Sequence, residues 1–399
     1  MSVFRKAEIL IPKNVDLEKW SVVACDQFTS EPEYWHEAES IIGDAPSTLN
    51  LVYPEAYLSE GDARIESINK TMDEYIEKDM FEYYSDSVFY IERTLPDGKV
   101  RKGIIGAIDL EEYDFTKSSK SAIRATEGTV IERIPPRVKI RENASMELPH
   151  VLLLINDESM NIIEKVTKSQ KLYDFELMLN GGHLTGWLVS DEDANLLIEK
   201  FDKFEDNAPD GLLFAVGDGN HSLATAKTCW ENIKGNLTDA ERENHPARFC
   251  LVEIENIHDD ALIFEPIHRI VFNVDPQLVI KQLNEEYECS TSDNGGHKVE
   301  YVFGYEKGTL YVKDPSNGLA VGALQTFLDR HNYETDYIHG DDVVEKLAIK
   351  DNSIGFILPV PDKSDLFKSV ISDGALPRKT FSMGEANEKR YYMEAKMIK

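Results

Sequence analysis

Apolar positions recur along the chain at two spacings, and stretches of one kind alternate with stretches of the other. Between residues 62 and 80, Ile65, Ile68, Met72, Tyr75 and Ile76 fall at helical intervals, which predicts an amphipathic helix. Residues 87–94 alternate and are rich in β-formers, Pro96-Asp97-Gly98 carries turn chemistry, and 100–110 reads as a returning strand. Together they predict a hairpin. The pattern then predicts a strand at 151–155, a helix near 160–168, a second hairpin of 172–179 and 183–189 turned by Asn180-Gly181-Gly182, and a helix over 192–204. The last third alternates strands (249–255, 269–274, 301–303, 355–358) with helices (276–285, 319–330, 341–349). This mixture predicts an α/β fold, mixed α+β in arrangement. No unit of about 20–50 residues repeats, which argues against solenoids and propellers.

The sharpest local signal lies between two such elements. Leu212-Leu213-Phe214-Ala215-Val216 is a short continuous apolar run, as a buried strand should be. Gly217-Asp218-Gly219 follows, and glycines permit backbone angles closed to other residues. The next helix carries Leu223, Ala226, Trp230 and Ile233 on one face. Its free N–H groups fall around Asn220, His221 and Ser222, and a helix start after a glycine turn attracts anions, phosphate above all. Lys227, inside that helix, is a cation for neutralising a phosphate. The spacing is Gly-x-Gly-x-x-Ser, and no Walker A loop occurs. The plainer reading is a tight turn with Asn220 or Ser222 as N-cap. His221 is expected to have a lowered pKa, because the positive helix end disfavours imidazolium. A neutral imidazole suits hydrogen bonding or base chemistry, and equally a structural role.

Charge sharpens the question of where an anion would bind. The 399 residues hold 43 Lys+Arg against 73 Asp+Glu, a formal net charge of -30. Such a surface repels nucleic-acid phosphates and anionic membrane faces, so neither partner is expected. Against that background Arg124, Arg133, Arg137, Lys139 and Arg141 crowd cation into residues 123–142, a candidate site for an anionic ligand. Glu127-Gly128-Thr129 sets a carboxylate beside a flexible position. Near bound phosphate it suits a general base for a hydroxyl or a holder of Mg2+. The alternative is a solvated strand with neighbouring ion pairs such as Glu132–Arg133.

Cys25-Asp26-Gln27-Phe28-Thr29-Ser30 follows a predicted short strand at 22–24. This polar cluster either lines a pocket at a strand end or only supplies Ser30 as a cap before Pro32. Asp26 disfavours a thiolate beside it, so Cys25 is not a predicted nucleophile. Cys25, Cys229, Cys250 and Cys289 form no C-x-x-C pair, which argues against a disulfide framework or zinc knuckle. His339-Gly340-Asp341-Asp342 reads as a metal-binding or helix-capping turn, and Leu376-Pro377-Arg378-Lys379-Thr380 as a further basic point. No H-E-x-x-H occurs, and no metal site is assigned. No window approaches the roughly 18 apolar residues of a membrane span. The first residues lack a signal-peptide layout, so the expected address is the cytoplasm.

Residues 103–114 (Gly-Ile-Ile-Gly-Ala-Ile-Asp-Leu-Glu-Glu-Tyr-Asp), residues 124–127, Asp218-Gly219-Asn220-His221 with Ala224 and Ala226, and residues 376–380 resemble a bacterial and archaeal family numbered 1015 among the domains of unknown function. The resemblance runs along most of the chain. It implies kinship with the ParB/sulfiredoxin-like fold, which includes ParB nucleotide switches, sulfiredoxins and free-serine kinases. Such a core is a small α/β unit that binds nucleotide phosphates through a Gly-x-His-Arg-like turn at a helix start. The implied layout is an N-terminal α/β region at 1–118, a ParB/sulfiredoxin-like nucleotide-binding core at 119–245 and a C-terminal α/β region at 246–399.

The resemblance implies phosphate binding at Gly219, Asn220, His221 and Ser222. The residues themselves extend this candidate cofactor site to Gly217 and Asp218, with Lys227, Arg124, Arg137, Lys139 and Arg141 to balance charge. The resemblance makes Glu127 the acceptor of a hydroxyl proton, with Thr126 where a His is usual, and His221 its catalytic partner. There are departures. Ser222 stands where an Arg usually follows the His. Asn220 stands where sulfiredoxins carry their Cys, which excludes their chemistry. A charge of -30 offers no basic helix-turn-helix for DNA. The implied activity is transfer of a phosphate from ATP or ADP, with Mg2+ as helper, to a small hydroxylated metabolite, free L-serine being the most specific choice. The alternatives are a nucleotide- or amino-acid-binding regulatory protein without efficient catalysis, which the missing Arg favours, and a scaffold whose acidic surface meets a basic partner.

Overall fold

Every one of the eight residues of the strand Phe249–Asn256 is buried, including Glu253 and Glu255. A strand buried on both faces belongs at the middle of a covered sheet. In the computed structural model, which describes residues 2–314, 318–377 and 379–399, that is where it lies. The chain divides into two units that do not follow chain order. The first gathers Met1–Ala125, Thr129–Leu262 and Glu385–Lys399; the second gathers Thr126–Gly128 and Ile263–Gly384. Arg378, in the basic point at 376–380, lies outside the described residues.

The first unit is built on a ten-stranded mixed sheet. Its path runs Lys168–Leu177, Gly182–Val189, Phe89–Thr94, Val100–Asp109, Phe249–Asn256, Leu152–Ile155, Phe214–Asp218, Ile123–Ala125 and Tyr113–Asp114, with Phe4–Arg5 paired to Val100–Asp109 off the path. Both expected hairpins are antiparallel pairs. Phe214–Asp218 runs parallel to Ile123–Ala125 and antiparallel to Leu152–Ile155. Alternation along the strands sends Phe89, Ile91, Ile105 and Leu251 into one apolar cluster and Tyr90, Ile104, Ile108 and Val252 into another, so both faces are buried. The end of the chain returns to this unit as extended backbone. Ala24 N–H donates to the Arg390 carbonyl, and Tyr392 N–H to that of Val22, each at 2.8 Å.

Two stretches differ from their sequence reading. Near 160–168 there is only a short 3-10 turn, Ile163–Lys165, before the strand that opens at Lys168. The Asp157 carboxylate accepts the N–H groups of Ser159, Asn161 and Ile162, offering that backbone an alternative to helix. Conversely, the basic stretch left open as a solvated strand is the helix Ile134–Arg141, with prolines in its first turn, where a missing N–H does no harm.

The second unit holds a six-stranded sheet, every pair antiparallel, in the order Glu288–Ser290, Glu306–Lys313, His297–Phe303, Ser353–Ile357, His268–Phe272, Thr335–Ile338. Helix Asp341–Ala348 packs Val344 and Ala348 onto Ile270 and Val302. Thr126–Gly128 joins this unit by backbone bonds: Leu376 N–H to the Thr126 carbonyl at 2.7 Å, and Gly128 N–H to that of Leu376 at 3.0 Å. Among the described residues, no helix is long and apolar enough to cross a membrane.

Within the first unit the buried glutamates are held by buried arginines. Arg390 donates to Glu253 at 3.0 Å and to Glu394 at 2.6 Å, and Arg101 Nε stands 2.6 Å from Glu255. The Tyr173 hydroxyl also donates to Glu394. A Cβ at Gly103 would stand 2.7 Å from the Glu253 carboxylate, so the cluster needs glycine there. Removing one partner of such a network strands charge in a dry interior. Arg390→Met is expected to cost about 3–5 kcal/mol of stability, read by urea unfolding. A loss below about 1 kcal/mol would mean that the glutamates do not depend on it.

Candidate functional site

The strand Phe214–Asp218 delivers the chain to Gly219, which takes a left-handed backbone (φ 77, ψ 27) and caps the helix Asn220–Lys234. A Cβ there would stand 3.0 Å from the Val151 Cα and 3.5 Å from the His150 ring, so turn and close approach both demand glycine. Gly217 sits inside the strand without a positive φ, and the freedom expected of it is unused. Neither Asn220 nor Ser222 is the cap. The first helical bond runs from Leu223 N–H to the Gly219 carbonyl at 2.9 Å, so the amides of His221 and Ser222 have no carbonyl of their own helix to meet.

His221 accepts the Val130 N–H at Nε2, 3.2 Å away, which places the proton of the neutral ring on Nδ1. Burial, then the Arg137 and Arg133 guanidiniums, hold its pKa down to about 4, while Asp26 pulls the other way. The direction is the one expected, and burial and two cations contribute to it. Asp26 is the acid of this neighbourhood. Burial works against its carboxylate, but His150, the Gln27 amide and Lys389 together hold its pKa below the usual range. Gln27 donates to Oδ1 at 3.0 Å, and His150 Nε2 stands 3.8 Å from Oδ2. Lys389 reaches the same neighbourhood, 3.3 Å from Asp218 Oδ2, while Asp218 Oδ1 accepts the Gly219 N–H at 2.8 Å. Burial and Asp26 push the Cys25 thiol up to about 12, which leaves it without nucleophilic character.

The cations expected to gather at the helix start are dispersed. Lys227 lies about 10 Å further along the helix axis. Its ammonium donates to the Leu110 carbonyl at 2.9 Å and pairs with Glu231 at 2.8 Å. Arg124 is buried and clamps the turn before the Phe214–Asp218 strand, with Nη1 on the Asp210 carboxylate at 2.8 Å and Nη2 on its carbonyl at 2.6 Å. The Ile134–Arg141 helix fans out the remaining three. Arg137 pairs with Glu55, exposed Lys139 with Asp62 at 2.6 Å, and Arg141 with buried Glu147 at 2.6 Å. Of these three, Arg137 acts on His221.

Glu127 belongs to the second unit, where its backbone bridges to Leu376 and its carboxylate accepts the Lys379 N–H at 3.1 Å. Sequence reasoning singles out none of His150, Lys389 and Tyr392. His150 stands just before the apolar run at 151–155 as Asp26 stands just after that at 22–24, so a search for polar residues at strand ends would have found both. Lys389 and Tyr392 carry no comparable signal.

Because the fold holds His221 below the ordinary imidazole value of 6.5, the unfolded chain binds more protons between about 4 and 6.5. Stability is therefore expected to fall as pH drops through that window. His221→Asn should flatten the slope, measured as the urea midpoint against pH. Identical slopes in the two proteins would contradict the assignment.

No curated protein matches this chain. Similar solved structures include a free serine kinase variant in complex with ADP, 13% identical, covering 74% of this chain and 92% of that one at a TM-score of 0.41. SbnI with a C-terminal truncation, from Staphylococcus aureus, is 10% identical over 70% of this chain and 82% of that one, at 0.39. A conserved hypothetical protein from Pyrococcus furiosus is 13% identical over 72% and 90%, at 0.35. The family described as "Protein of unknown function (DUF1015)" matches residues 9–331. That match spans well over half of the sequence, and the chain belongs to this family.

Proposed function

We propose that this chain is a phosphotransferase that moves the terminal phosphate of ATP or ADP onto the hydroxyl of a small metabolite, with free L-serine as the acceptor that the sequence resemblance implies. The observation that carries the reading is the helix start itself. The amides of His221 and Ser222 have no carbonyl of their own helix to meet, and the Lys389 ammonium stands 3.3 Å from neighbouring Asp218. The residues fit phosphate: first-turn amides beyond Gly219 point outward along the helix axis, and the Lys389 ammonium stands beside them. Lys389 supplies a cation near this helix start, where Ser222 stands in place of the Arg the resemblance leads one to expect.

In the reaction, the acceptor hydroxyl oxygen attacks the terminal phosphorus and the bond to the bridging oxygen breaks. The nucleotide leaves one phosphate shorter, and the hydroxyl proton passes to a carboxylate. Asp26 is the carboxylate we assign: it is ionised and braced by Gln27. Neutral His221 hydrogen-bonds without adding charge. Mg2+, when bound, would neutralise phosphate charge; Asp218 is the carboxylate that would hold it, and one suffices beside phosphate oxygens. Glu127, to which the resemblance gives the base role, is the rival.

A regulatory protein that binds nucleotide or amino acid without efficient turnover is favoured by one observation: Arg124, Arg137, Lys139 and Arg141 each already have a carboxylate. Calorimetry with ATP and ADP, then detection of phosphoserine by mass spectrometry, separates the readings. Asp26→Asn is expected to cut transfer at least about 100-fold while ADP affinity holds. Glu127→Gln should retain transfer, and the reverse pattern would give the role to Glu127. Binding without phosphoserine supports the regulatory reading; no binding of either nucleotide contradicts both.

A further inference from the structure

Tyr392 is buried in the returning C-terminal segment, its backbone tied to Val22. Its hydroxyl meets two groups. It accepts the Cys25 backbone N–H at 3.1 Å, and it lies 2.8 Å from His150 Nδ1. A phenol has one proton and an amide N–H only donates, so the hydroxyl proton is free to go to Nδ1. The nearby Cys25 thiol is a weak acceptor and competes poorly. The other ring nitrogen, Nε2, faces Asp26 Oδ2 at 3.8 Å. That separation is longer than a formed hydrogen bond, as catalytic contacts often are before substrate binds. A donor on one side of the ring and a carboxylate on the other select the same tautomer. The opposite one would aim a proton at the Tyr392 hydroxyl and a lone pair at the Asp26 carboxylate.

We infer that Tyr392 is a positioning residue whose hydroxyl, by donating to Nδ1, selects the Nε2–H tautomer of the His150 ring and aims it at Asp26. The C-terminal segment thereby completes the site: residues 22–27 bring Asp26, the stretch before Leu152 brings His150, and the last residues bring the hydroxyl that decides where the imidazole proton sits. The effect on turnover rests on the phosphotransferase reading; the tautomer does not.

Long-range hydrogen–nitrogen NMR correlation on the full chain, labelled with nitrogen-15 in histidine and held at a pH where imidazoles are neutral, reads the tautomer directly. His150→Gln identifies the resonance by its loss. The wild type is expected to carry its proton on Nε2. Tyr392→Phe, which keeps the ring, is expected to show both tautomers, with transfer to serine slowed about tenfold at unchanged KM. A wild-type ring protonated on Nδ1, or a tautomer untouched by Tyr392→Phe, overturns the inference. Should Tyr392→Phe not fold, the wild-type tautomer alone decides. If the wild type makes no phosphoserine, the phosphotransferase reading fails while the NMR result is judged on its own.

Discussion

The helix Asn220–Lys234 starts where it does because Gly219 turns left-handed against Val151, in a space that no Cβ fills. That contact links two neighbouring strands of the large sheet: Phe214–Asp218 ends at the glycine, and Leu152–Ile155 begins one residue after Val151. It therefore sets the helix start beside His150. From there the rest of the site follows by adjacency, with Asp26 beyond the imidazole and Lys389 on Asp218. A side chain at position 219 would both strain the turn and push these groups apart.

Electrostatics at this place set cations and carboxylates side by side, Lys389 on Asp218 and Arg137 on Glu55. A net charge of -30 makes solvated acid the rule. Most of the basic residues of the 123–142 stretch are absorbed by carboxylates and serve to hold the fold, Arg124 against Asp210 and Arg141 against Glu147. What remains near the helix start is modest in number but sits in a half-buried setting, where solvent screens it less. The depressed pKa of His221 reports that field, and the ionised state of Asp26 reports its other side. The pairing of a neutral imidazole with an ionised acid is the sort of divergence that acid–base sites use.

Local pattern revealed most of the elements and little of the assembly. Both hairpins, the helix at 62–77 and the strand–glycine–helix element could be read because their signals are short in range: alternation, turn residues and helical spacing. The helix Ile134–Arg141 was obscured by two prolines, which suit a first turn as well as they break an interior. The false helix near 160 arose because Asp157 binds three amides, which apolar spacing does not reveal. Of the site, Gly219, Asp218 and His221 were legible. Asp26 was visible only as part of a polar cluster. Lys389 and Tyr392 were beyond reach, since they lie more than 150 positions from the helix Asn220–Lys234 and depend on the chain's end returning to the first unit. The five clustered cations misled because sequence shows where charge is dense but not which partner each side chain meets.

If, as proposed, the amides beyond Gly219 receive a nucleotide phosphate, backbone amide NMR of the full chain titrated with ADP and Mg2+ reports it. The largest shifts are expected on Gly219 through Ser222 and near Lys389, growing to saturation with ADP and absent with adenosine. Equal shifts with adenosine, or ADP shifts confined to residues away from this helix start, would contradict it.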